Sequence, residues 1–193
     1  MGELLKTSRS GRAPALPADE RREAIIRATL PLLLEHAEMV STRQIAEAAG
    51  IGEGTIFRVF DDKEAVITAV IDAAIDPQPI EDAIGALDHS APLEELITQA
   101  VALLQQRTIT IWRLMSSVGS RHLERARQPL ASPALIALFE AHRDEIAVPA
   151  TEAARHLRGV TLASTHPLLS EEPLEPTRIA QLFLHGVWKG QPC

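Results

Sequence analysis

The stretch Ser41–Lys63, STRQIAEAAGIGEGTIFRVFDDK, decides the fold. Ser41 and Gln44 have the S-x-x-Q spacing of a capping box, so a helix begins at Thr42. Ile45 and Ala49 face inward, and Ala46 is small where two helices cross closely. Gly50 suits the left-handed conformation that ends a helix, and Ile51 plugs the junction behind it. Gly52-Glu53-Gly54 then leads into Thr55-Ile56-Phe57-Arg58-Val59-Phe60, whose Ile56 and Phe60 point back to the core. Asp61 and Glu64 repeat the capping spacing and start the next helix at Asp62-Lys63.

A glycine between two helices also occurs in ordinary bundles. Length separates the two readings. The segment Thr55–Phe60 allows a helix of only two turns, which is poor for a bundle core. It does suit a DNA major groove roughly 12 Å wide.

Working outward, residues 1–16 carry Ser, Gly, Arg and Pro without apolar period and read as a flexible arm. Lys6, Arg9 and Arg12 against Glu3 make that arm basic. Helical patterning starts near Pro17, with Asp19 and Glu20 matching the helix dipole. Ile26, Leu30, Leu33 and Ala37 define its apolar face, and Pro31 inside it predicts a kink. Downstream, helices are expected to Ile75, over Leu93–Val118, Pro133–Ile146 and Pro149–Ala163, and last over Thr177–Trp188. Residues 76–92 read as a break with a short helical piece, and 164–176 as a Pro-rich acidic loop. No run alternates long enough for a strand, so the class is all-α. The divisions are the arm at 1–16, a head at 17–62 and a body at 63–193.

Composition narrows the function classes. The 193 residues are 46% hydrophobic, with no transmembrane-length apolar run and one cysteine at Cys193, and residues 1–17 lack the apolar stretch expected of a secretory signal. A soluble cytoplasmic protein is the expectation, with no membrane partner. The net charge of −7 argues against an indiscriminate nucleic-acid binder, whose affinity comes from phosphate neutralisation. A site-specific binder needs only a locally positive face. The histidines at 36, 89, 122, 142, 156, 166 and 185 show no metal-ligand spacing, and no phosphate loop or nucleophile elbow is present. Neither enzyme activity, a metal nor a cofactor is expected.

Ser41–Lys63, preceded by RREAIIRATLPLLLEH, resembles the N-terminal domain of the TetR/AcrR family of transcriptional regulators, over roughly residues 21–70. The closing QLFLHGVWKG is more weakly similar to that family's last dimerisation helix. The resemblance implies a three-helix helix-turn-helix DNA-binding domain, followed by a helical ligand-binding and dimerisation domain. It implies a homodimeric repressor that binds a palindromic operator in double-stranded DNA and is released by a small-molecule effector. It assigns Arg43, Glu53, Gly54, Thr55, Phe57 and Arg58 to the DNA face and Lys63 to phosphate. Arg58 is the candidate guanine reader. Three departures accompany it. Phe57 stands where the family has tyrosine, Ala37-Glu38-Met39 replaces a glycine turn, and Pro31 is unusual in the first helix.

In the body, Trp112 and Met115 on one helix, with Phe139, His142 and Arg143 on another, are candidates to line an effector pocket. Ordinary core packing is the competing reading. Leu182, Leu184, Val187 and Trp188, with Leu157, Val160 and Leu162, are candidates for a four-helix dimer interface. The helix Asp61–Ile75 would then carry the effector signal, its tilt setting the separation of two recognition helices. The alternative function is a helical ligand-binding or adaptor protein that no longer binds DNA.

Overall fold

The computed structural model describes residues 17–119 and 131–186, and every regular element among these is helical, as expected. Helix α1 spans Ala18–His36, α2 Thr42–Ala48, α3 Glu53–Ile56 and α4 Lys63–Ile75. Then follow α5 (Gln78–Gly85), α6 (Leu93–Ser117), α7 (Pro133–Ala141), α8 (Ala150–Ala163) and α9 (Pro176–His185). The basic arm at residues 1–16 lies outside the described residues. No helix among the described residues is long and apolar enough to cross a membrane.

Buried apolar side chains gather in two cores. One takes Ile25 and Leu33 of α1, Ile45 of α2, Ile56 of α3 and Val66 to Ile71 of α4. The other takes Ile80 and Ile84 of α5, Leu135 to Phe139 of α7, Ala153 to Leu157 of α8, and Ile179 of α9. Helix α6 enters both. Its first half, Leu93 to Leu104, lies in the second core, whereas Leu114, Met115 and Val118 at its end lie in the first. The division of the cores therefore crosses the expected 62/63 boundary, because α4 and the end of α6 close the base of the head.

A polar contact reinforces this join. Arg107 of α6 donates to the carbonyls of Ala74 (3.2 Å) and Ile75 (2.7 Å), the last residues of α4. These carbonyls have no partner within their own helix, and a cation there also complements the helix dipole. Burial lowers the Arg107 pKa and nearby Arg158 adds to the effect, while Asp76 and Glu81 oppose it.

Several expectations need correction. The buried face of α1 is Ile25, Thr29 and Leu33, with Ile26 and Leu30 only partly buried. Thr29 tolerates full burial because its hydroxyl donates to the Ile25 carbonyl at 2.7 Å. Helix α4 is capped by Asp62 rather than Asp61: its Oδ1 accepts the Ala65 N–H at 2.7 Å, so the helix starts at Lys63. Helix α9 ends at His185, where Gly186 turns to φ 68° and donates to the Leu182 carbonyl. Val187 and Trp188 lie outside the described residues. Leu157 is fully buried against the other body helices, so it has no surface to offer a second copy.

The turn after α1 is strained. Ala37, where the resemblance would have placed a glycine, adopts φ 54° and ψ −145°, the one positive φ of a non-glycine residue among those described. Such a backbone costs an L-residue about 1–3 kcal/mol, partly offset by the entropy glycine loses on folding. Ala37→Gly is therefore expected to raise stability by about 1 kcal/mol. A urea midpoint that falls or stays put, at unchanged slope, would refute the strain.

Candidate nucleic-acid interface

The two helices of the head are joined by local chemistry. Ser41 closes the expected capping box: its hydroxyl accepts the Gln44 N–H, and the Gln44 side-chain Oε1 accepts the Ser41 N–H at 2.9 Å. At the far end Gly50 takes φ 66°, its N–H donating to Glu47 and that of Ile51 to Ala46. This paired pattern satisfies the last carbonyls of α2 and turns the chain sharply. Only one turn of α-helix follows, Glu53–Ile56, rather than two. The N–H groups of Val59 and Phe60 then both donate to the Ile56 carbonyl at 2.9 Å, prolonging the segment as a tight turn.

Ile56 and Phe60 are buried, anchoring this segment on the head core. The Arg22 guanidinium sits 4.3 Å from the Phe60 ring centroid, tying the start of α1 to its end. The opposite side of the segment faces out. Glu53, Gly54, Phe57 and Arg58 are all exposed, and Thr55 is half-buried. Phe57 leaves 52% of its surface in solvent, an unusual position for an aromatic with no packing role. The Arg58 N–H donates to the Thr55 carbonyl, and its guanidinium has no polar partner among the described residues.

Arg43 projects from the first turn of α2, its Nε 3.2 Å from Glu47 in a highly exposed pair. Such a pair is worth little in water, so the guanidinium is easily exchanged onto a phosphate. Lys63 is half-buried at the first position of α4. The sequence-predicted residues thus lie on α2, on α3 and the turn that follows it (Phe57 and Arg58), and on the first residue of α4. Ser41–Lys63 nevertheless carries three cations against four carboxylates, so this surface is not a basic patch.

One partner had no local signal. The Thr42 hydroxyl donates to the Glu53 carboxylate, linking the first residues of α2 and α3 across eleven positions of sequence. Met39 was also missed. It is 87% exposed just ahead of α2.

The candidate pocket residues do not come together. Met115 is buried in the head core, whereas Phe139 is fully buried in the body core and packs on Phe183 at 5.9 Å between ring centroids. His142 is used in loop closure, its Nδ1 2.7 Å from Glu145 and its Nε2 3.1 Å from the His89 carbonyl. Arg143 donates to the Ile146 and Val148 carbonyls. Trp112 is half-buried and meets His166 edge-on at 6.0 Å. The reason is geometric: α6 spans both cores, so residues close in its sequence serve different ends. No cluster of three or more His, Cys, Asp or Glu suited to a metal occurs among the described residues.

Residues 25–70 match the profile of bacterial regulatory proteins of the tetR family. The EthR HTH-type transcriptional regulator of Mycolicibacterium smegmatis is 40% identical over 67 residues, which are 34% of this chain and 31% of that protein. The chain spans about a third of the length of the curated relatives it matches. Over the whole fold, a TetR/AcrR-family regulator from Thermobifida fusca superposes with a TM-score of 0.59, at 21% identity, over 88% of this chain and 100% of that one. FadR from Bacillus subtilis, solved in complex with stearoyl-CoA, gives a TM-score of 0.55 at 15% identity, over 86% and 99% of the two chains. At these identities the structural likeness is one of fold.

Proposed function

We propose that this protein is a sequence-specific DNA-binding transcriptional regulator of the tetR family, acting as a repressor; the profile match at residues 25–70 and the likeness of fold support it. The observation that carries the reading is the outward face of the short α3 segment. Gly54, Phe57 and Arg58 are exposed there, opposite the buried Ile56 and Phe60. A segment held by two apolar anchors, with its other side kept free, fits a major groove better than a bundle core. Arg43, Glu53, Gly54, Thr55, Phe57 and Arg58 would line the DNA, with Lys63 on a phosphate. The missing excess of positive charge limits non-specific affinity and leaves more of the discrimination to base contacts.

A twofold dimer would match a palindromic operator with half-sites about 34–36 Å apart. Val160 and Leu162 of α8 and Leu182 and Leu184 of α9 keep partial exposure and would supply its interface. Small-molecule control is supported by the stearoyl-CoA carried by the Bacillus subtilis regulator of the same fold. An effector in the body would act through α4, whose end Arg107 holds, and only as far as it binds one arrangement more tightly.

Selection of bound fragments from random duplex DNA tests the proposal. An enriched inverted repeat, bound more weakly as salt rises, is expected. Absence of any enriched sequence would favour a helical ligand-binding or adaptor protein instead.

A further inference from the structure

Glu53 places a negative charge at the tip of the surface proposed to meet a polyanion. Its neighbours Gly52 and Gly54 are exposed and carry no side chain, and a Cβ at Gly54 would meet nothing within 4 Å. The carboxylate is held rather than loose, because the Thr42 hydroxyl donates to its Oε1. Its second oxygen takes no hydrogen bond among the described residues. A carboxylate only accepts hydrogen bonds, so phosphate oxygens repel it and base acceptors offer it nothing. In the major groove cytosine presents the N4 amino donor, whereas adenine sets its N6 donor beside the N7 acceptor, which repels a carboxylate. Phe57 stands one turn further on, on the same side of the segment, and supplies an apolar surface next to the acceptor.

We propose that Glu53 is a specificity-determining residue that selects a cytosine in each half-site of the operator. The inference rests on the DNA-binding reading and adds to it the identity of one base. Thr42 acts as a positioning residue, since its hydroxyl fixes where the carboxylate points.

The test is selection from random duplex DNA by the full chain and by Glu53→Gln and Glu53→Ala, both surface changes. The wild type is expected to enrich cytosine at one position per half-site. Glu53→Gln should shift that position toward adenine, because an amide matches the adenine N6 and N7 pair. Glu53→Ala should lose about tenfold of the discrimination there and keep the other positions. If both variants return the wild-type motif, Glu53 is only a clamp between α2 and α3 and the proposal falls alone. If the wild type enriches no motif, the DNA-binding reading fails and takes the proposal with it.

Discussion

Leu114→Ala is expected to destabilise the whole chain by about 3–4 kcal/mol, although Leu114 lies far along the sequence from the head it supports. The side chain is fully buried in the head core, where α6 packs on α1 and α4, so its truncation removes apolar burial and leaves a cavity. A loss of this size is a large part of the roughly 5–15 kcal/mol that holds a domain together. The head should not melt alone, because α6 runs without a break from the body core into the head core. Urea unfolding followed by tryptophan fluorescence and by far-ultraviolet circular dichroism should give coincident transitions, both at lower midpoint. Two separated transitions would refute α6 as a rigid brace between the cores.

Arg58→Ala should lower affinity for the selected operator by tenfold or more, since a bidentate guanine contact is worth about 1–3 kcal/mol and a twofold complex loses it twice. The loss should fall on one base position per half-site. The Arg58 side chain is exposed and its guanidinium has no partner to release among the described residues, so its truncation leaves the fold intact. Lys63→Ala gives the contrast. It should weaken binding to all sequences alike and lower the salt slope by about one for each phosphate that the lysine neutralises. Competition binding against operators altered at single positions separates the two. A uniform loss for Arg58→Ala would remove it from the base readers.

Most of the head was legible because its instructions are local. The Ser41 and Gln44 pair, the left-handed Gly50 and the inward Ile56 and Phe60 each follow from residues within one or two turns of each other. The cap of α4 shows the limit of such rules. Asp61 and Asp62 are equally good caps by composition, and only the folded chain shows that the Asp62 carboxylate reaches the Ala65 N–H. The pocket candidates lie apart for a related reason. Apolar spacing in α6 says that Met115 is buried, but not in which core.

By itself the sequence determined the all-helical class, the position of the turn between α2 and α3, and the inward anchors Ile56 and Phe60. These depend on backbone capping and on periodicity, which act over a few residues. Only the tertiary structure decided that α6 belongs to two cores, that Arg107 closes α4, that Leu157 is spent inside the body, and that Thr42 holds Glu53. Each of those contacts joins residues far apart in the chain. Their energy comes from burial and alignment that exist only once the helices have packed.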